Sequence, residues 1–484
     1  MNKKMSLLWC GLFFCQFAFS NLKINFKHSK IHALYNFVET ISGYDHRNRA
    51  IKELFDKSQF NSPETQKLIQ EFQELGPALN NYIVYPGNLN TRYAGIQIGQ
   101  LMLIRSVVAK DLDDLAERTL ELMPIASHAQ LFNLLEQFLI IYEKLIWDDN
   151  FVELTKYTGQ LMALAEKVDL ELLYNKAAAF YGATWPKNQA FYVSFWPIPL
   201  KKGSSNAESL GTIESMGILF NANDDEGKFG VLFHELSHSL YKAQSFKLKQ
   251  EIENFFMEHP SPYSKIAYRF FNEALATTLG NGIAFEEAAG HLDQGSWYNN
   301  RYIHGFGKAL YPETKKYFLQ SKTMDQHFFE MAVSAFAAIF PDSIYEYAPR
   351  FQEVLMMGDD VVFQISTIRG LLRKYFRTSS SWGSSPIADE QTLETFQRID
   401  QTALIVVSGG ELNQLDGLAQ IYSPLAERLD LIKSEPDSYI YSFIDKNNRA
   451  VIILKVENEL ELENALSLLK EKERIDSRNP WIKL

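Results

Sequence analysis

His234-Glu235-Leu236-Ser237-His238 is the stretch around which this chain is read. It is an H-E-x-x-H pentapeptide with flanks that suit a helix. Gly230-Val231-Leu232-Phe233 precedes it, and Leu236 and Leu240 extend the same apolar face. On a helix, residues i and i+4 stand on one face, a turn apart. Two imidazoles so placed reach one Zn²⁺, and the glutamate between them projects beside the metal as a base. The alternative is an ordinary buried helix that carries two histidines.

A zinc site open to substrate needs a third protein ligand and leaves the fourth position to water. Glu273, in Phe271-Asn272-Glu273-Ala274-Leu275-Ala276, is the candidate. It is a lone carboxylate on a predicted buried helix, Ile266 to Leu279, that stops at Gly280-Asn281-Gly282. A carboxylate there needs a cation or a donor. Zinc would serve, and so would an ion pair with Arg269. Glu251, Glu253, Glu258 and His259 are rival ligands in the spacer, but the acidic ones lie in a lysine-rich polar run that reads as a solvated face.

The pentapeptide followed by a helix bearing Asn272-Glu273-x-x-Ala276 resembles the gluzincins, zinc peptidases that include thermolysin-like enzymes and the zinc aminopeptidases. The resemblance covers roughly residues 190–305 and implies His234, His238 and Glu273 as metal ligands. It implies Glu235 as general base and a His or Tyr after the third ligand as donor to the developing oxyanion. Tyr302 and His304 are the candidates for that donor, with Tyr298 behind them; His291 and His327 are read as structural or exposed. The chain departs from the pattern twice. The spacer 239–272 is long, with an extra helical excursion from Phe246 to His259, and Thr277 stands where thermolysin-like enzymes have an Asp that orients a ligand histidine. The metzincin pattern fails, because Tyr241 and Gln244 occupy its Gly and His positions.

Upstream, Ala190–Trp196 and Gly211–Phe220 read as strands. In the resembling enzymes a small sheet precedes the metal helix, and its edge strand pairs with an extended peptide. The strand at 211–220 is therefore expected to be the edge that lines substrate.

Met1-Asn2-Lys3-Lys4, the apolar run Met5–Phe17 and Ala18-Phe19-Ser20 have the form of a cleavable export signal, with cleavage before Asn21. The expectation is a periplasmic or secreted protein without stable membrane insertion. Both cysteines, Cys10 and Cys15, fall inside that segment, so a mature chain would have no disulfide, cysteine-ligated metal or cysteine nucleophile. The net charge of −11, with no basic run, argues against general nucleic-acid binding.

The expected class is mostly α with a small β-sheet (α+β): a zincin-like core within a helical domain, plus a small C-terminal α/β module. Residues 21–185 read as a helical region, with helices at Glu64–Leu75, Ile96–Leu122, Ala129–Ile146 and Val152–Leu173 punctuated at Pro86-Gly87-Asn88 and Met123-Pro124. Residues 186–378 form the catalytic region and include helices at Asp325–Phe340 and Asp360–Phe376. Residues 379–397 read as a linker. The module at 398–484 has a strand at Ala403–Val407 ahead of Ser408-Gly409-Gly410, a hairpin around Asp445-Lys446-Asn447-Asn448 and a helix at Glu459–Lys472. The functional expectation is an exported Zn²⁺-dependent metallopeptidase acting on a peptide or protein substrate. The alternatives are a zinc hydrolase of a non-peptide amide or ester, or a non-catalytic zinc-containing binding or assembly protein.

Overall fold

The structure, a computed structural model, describes residues 23–44, 48–83, 96–183, 185, 189–200, 206–220, 224–476 and 478–484. The expected export signal and its two cysteines, and the Pro86-Gly87-Asn88 punctuation, lie outside the described residues. The fold is mostly helical with two mixed sheets and one short ribbon, an α+β arrangement. It divides into two compact units. The first holds the chain to Leu248 with Thr278–Gly295 and Thr314–Thr323; the second holds Lys249–Thr277, Ser296–Glu313 and Met324–Leu484.

The first unit is built on a four-stranded sheet. Its strands are β1 (Ile24–Lys27), β2 (Phe191–Ile198), β3 (Asn206–Leu210) and β4 (Ile213–Leu219), in the order β1-β2-β4-β3. β1 runs parallel to β2 and β2 parallel to β4, while β3 is antiparallel to β4. The expected boundary at residue 185 is therefore corrected, since a strand from residues 24–27 completes the sheet that the catalytic region begins. A second correction concerns the edge. β4 is an interior strand, and β3 occupies that margin of the sheet. Asn206-Ala207-Glu208-Ser209-Leu210 carries little β-branched signal, but Gly211, at φ +54°, turns it directly onto Ile213 in a two-residue hairpin.

Side chains on β4 alternate between two environments. Ser215 faces α1 (Lys30–Ile41), where its hydroxyl meets His32 Nε2 at 2.8 Å and accepts from Trp196 Nε1 at 3.1 Å. Glu214, Met216 and Ile218 face the other way and are wholly or almost wholly buried. Helix boundaries differ from expectation where a polar cap intervenes. The run Ile96–Leu122 splits into Ile98–Ser106 and Leu112–Thr119, because the Asp111 side chain accepts from the Asp114 amide at 2.8 Å and starts a new helix. Val152–Leu173 splits in the same way at Asp169, which caps Leu172 from a left-handed backbone conformation.

The second unit contains a six-stranded sheet of β5 (Glu353–Gly358), β6 (Ser380–Ser384), β7 (Thr402–Val407), β8 (Tyr439–Ile444), β9 (Ala450–Lys455) and β10 (Trp481–Lys483). The order is β10-β8-β9-β7-β5-β6, with β6, β5, β7 and β9 mutually parallel. Both faces are covered, as a largely parallel sheet requires. Val354, Met356, Leu404 and Val406 pack against Leu372, Leu466 and Leu469 on one side. Leu355, Met357, Ala403 and Ile405 pack against Phe396 and Leu418 on the other. Each of the Val, Leu, Ile, Met and Phe side chains contributes roughly 1.5–3 kcal/mol by burial. The module thus begins at residue 353 rather than 398. The expected linker at 379–397 is corrected as well, since it supplies edge strand β6 and the helix Glu390–Arg398. Its Ser- and Gly-rich composition suits a short, half-exposed edge strand as well as it suits a tether.

Candidate metal centre

The pentapeptide lies on α2 (Asp225–Lys242) of the first unit. Asp225 and Glu226 in the first turn and Lys242 in the last complement the helix dipole. Phe229, Leu232, Phe233, Leu236 and Leu240 are buried, which fixes the rotation of the helix about its axis. The Lys242 ammonium donates to the Ser209 carbonyl at 3.2 Å, and the Ser239 hydroxyl bonds that of Ser209, tying α2 to β3.

On the motif face, His234 Nε2 and His238 Nε2 lie 3.1 Å apart, with the rings nearly perpendicular. Two nitrogens each about 2.0–2.1 Å from a tetrahedral ion stand about 3.3 Å apart, so this convergence suits Zn²⁺. One ligand atom from each of His234, Glu235 and His238 falls within a 4.8 Å cluster. His234 is buried, and Glu235 and His238 are half-buried.

Glu214 is the residue that sequence reasoning passed over. It lies on β4, fully buried, and neither of its carboxyl oxygens has a hydrogen-bond partner among the described residues. Burial, followed by the neighbouring charge of Glu235, holds its carboxyl well above the usual range. The signal was present in the sequence: a single acid in an otherwise apolar strand, in phase with Met216 and Ile218.

The helix after the spacer runs from Ser264 to Thr277 and does not stop at Gly280-Asn281-Gly282. It continues as a π-helical turn, Thr278–Ala284, which belongs to the first unit. That turn packs against α2. A Cβ on Gly280 would meet the Gly230 carbonyl and come within 2.8 Å of His234 Cβ and N. The two glycines let the backbones touch beside the first motif histidine.

The remaining candidates sit in the second unit. Glu273, on Ser264–Thr277, is half-buried and accepts a hydrogen bond from the Tyr298 hydroxyl. Burial and then the Glu273 charge raise the Tyr298 pKa. Arg269, the alternative partner for Glu273, is engaged by Glu353 at 3.4 Å, Gln401 at 3.0 Å and the Pro349 carbonyl. The Thr277 hydroxyl is buried without a hydrogen-bond partner among the described residues.

Tyr302 and His304 are both on the helix Arg301–Leu319, where residues two apart diverge. The Tyr302 hydroxyl is bonded by Glu346 and by Arg301 Nη2 at 2.7 Å, and its ring stacks on Phe270. It is 3% exposed, and its polar atom is committed within the unit interior. His304 is half-buried, and its Nδ1 accepts from the Trp297 amide at 3.1 Å. Tyr298, ranked behind these two, is the aromatic donor that meets Glu273. In the spacer, Glu251, Glu253 and Glu258 are exposed on the helix Phe246–Glu258, while His259 pairs with Glu330 at 3.1 Å. His291 and His327 are exposed.

A cavity of roughly 660 Å³ in the second unit is walled by His259, Lys265, Asp400, Tyr422 and Arg449 among others. Of the sequence candidates it contains only the rival ligand His259. Lys265 is paired with Asp400, and the Arg449 guanidinium is bonded to backbone carbonyls, so the cavity presents largely satisfied groups. No helix among the described residues is long and apolar enough to cross a membrane.

Compared with protein-family models, with curated proteins and with solved structures, the chain matches none.

Proposed function

We propose that this protein is a zinc-dependent metallopeptidase that hydrolyses peptide bonds with a water activated by Glu235. The observation that carries the reading is the 3.1 Å convergence of His234 Nε2 and His238 Nε2 with Glu235 between them on one helix. Zinc, when bound, supplies a Lewis acid that polarises the scissile carbonyl and acidifies water. The two imidazoles would hold the ion, and Glu273 is proposed as third ligand on the strength of its sequence motif. Glu235 takes a proton from the attacking water and returns it to the leaving amine. Tyr298 is proposed as the hydrogen-bond donor to the developing oxyanion, with His304 second, because its hydroxyl stands at the proposed third ligand Glu273 and would turn its proton from that carboxylate to the oxyanion, whereas the Tyr302 hydroxyl meets Glu346. Export, as the N-terminal sequence suggests, belongs to the same proposal.

The test joins metal content with turnover. The purified protein should hold about one Zn²⁺ per chain. His234→Ala, His238→Ala and Glu273→Ala should each lose it. Glu235→Gln should keep the metal while cleavage of a peptide library falls by a factor on the order of 10²–10⁴. Full zinc in Glu273→Ala would remove that residue from the ligand set, and undiminished turnover in Glu235→Gln would sink the mechanism.

A further inference from the structure

Arg377 lies in the second unit, between the helix Ile365–Tyr375 and strand β6. Its backbone is fixed from Gln352. The Gln352 side chain donates to the Arg377 carbonyl at 2.9 Å, and the Gln352 carbonyl accepts from the amides of Ser379 and Ser380. The side chain is exposed, yet it is held at one point. Arg377 Nη2 donates to the Tyr298 hydroxyl at 3.1 Å, and its Cζ stands 5.5 Å from the centre of the Tyr298 ring. The same hydroxyl donates onward to Glu273. One phenol oxygen therefore links a guanidinium to the proposed third ligand.

Arg377 has no carboxylate partner among the described residues, although the chain carries 59 acidic residues against 48 basic ones. A guanidinium has five N–H donors in a planar fork, and among the described residues only the bond to Tyr298 engages one. Such a fork fits a carboxylate through two parallel bonds. Anchoring by the Tyr298 hydroxyl and ring and by the clamped backbone has already removed much of the rotamer freedom that binding would otherwise cost. We propose that Arg377 is a specificity-determining residue that receives a carboxylate of the peptide substrate. The proposal rests on reading Glu273 as part of the peptidase site. The carboxylate has two sources, the C-terminal end of a short peptide or an acidic side chain.

The experiment measures binding by calorimetry in the full-length Glu235→Gln protein, where turnover does not intrude. The probes are pentaalanine as free acid, pentaalanine as C-terminal amide, and two amidated peptides with a central Glu or Gln. The free acid should bind on the order of tenfold tighter than its amide if the C-terminus is recognised. The Glu peptide should exceed the Gln peptide by a similar factor if a side chain is recognised. Adding Arg377→Gln should erase that preference and leave affinity for the uncharged peptide unchanged, with zinc content and circular dichroism unaltered. Arg377→Lys should restore part of it. Equal binding of every probe, no binding at all, or a uniform loss in Arg377→Gln would overturn the proposal. Cleavage by the Arg377-intact protein is scored separately. A carboxylate preference that depends on Arg377 in a protein that cleaves nothing would reject the peptidase reading and keep this site. Cleavage indifferent to carboxylates would do the reverse.

Discussion

The carboxyl of Glu214 is buried next to Glu235, in the field of its charge and without a hydrogen bond of its own. Two acids so placed do not both ionise cheaply, and Glu214, being wholly buried, is the one kept protonated. A carboxyl whose pKa is raised by folding contributes stability that is complete below its unfolded value, about 4.3, and is lost as pH climbs through the folded value. Metal-free wild type should therefore lose up to ~1.4 kcal/mol per pH unit in that window relative to Glu214→Gln, which cannot ionise. Urea unfolding of both proteins from pH 4 to 9 measures the difference. Parallel curves would show that Glu214 carries no shift.

His32 works in the opposite direction. It is fully buried, bonded to Ser215, Ser106 and the Leu103 carbonyl, and burial lowers its pKa to about 4 from an ordinary 6.5. The folded state refuses a proton that the unfolded chain accepts, so stability is complete above 6.5 and falls as pH drops toward 4. The loss amounts to about 3 kcal/mol over that range. His32→Gln should be less stable at pH 7 but should lack this acid limb. A slope unchanged by the substitution would place the titration elsewhere.

Tyr302 and Tyr298 should separate cleanly. Tyr302→Phe removes a hydroxyl that serves the buried Glu346 carboxylate, so thermal unfolding should report a loss on the order of 1–3 kcal/mol with kcat retained. Tyr298→Phe should keep stability closer to wild type and lower kcat on any cleaved peptide, by about 2.7–4 kcal/mol of transition-state stabilisation if it is the oxyanion donor. A reversed pattern would return the role to Tyr302.

Gly280→Ala should destabilise by roughly 1–3 kcal/mol, because its new methyl meets backbone rather than a side chain that can turn aside. Gly159→Ala, in the helix Asp148–Lys167, is the control. Nothing lies within 4 Å of its added Cβ, so it should stabilise by about 0.5–1 kcal/mol. Chemical denaturation of the pair checks both signs, and a neutral Gly280→Ala would show that the two backbones can part.

Periodicity and capping were readable where local chemistry is decisive. The helix Glu459–Lys472 begins at Asn458, whose side chain accepts from the Glu461 amide at 3.0 Å, and its residues are those expected. The motif helix and the 439–455 hairpin were likewise legible, since each carries its own pattern. Strands β3 and β6 were not, because Asn206–Leu210 and Ser380–Ser384 are strands only by virtue of the neighbours they pair with. At the site, the pentapeptide spacing alone brings two imidazoles together. That Tyr298 meets Glu273 while Tyr302 meets Glu346 rests on partners distant in sequence, which no local pattern encodes.

The contact between Gly230 and Gly280 has an evolutionary corollary. Because main chain meets main chain there, the separation of α2 from the π-helical turn beside His234 is set by backbone, while the buried Leu and Phe residues of α2 set its rotation. Volume-conserving exchanges in the core of the first unit can therefore accumulate over generations so long as this close approach is kept. A methyl group at residue 280 is the change that such drift cannot absorb.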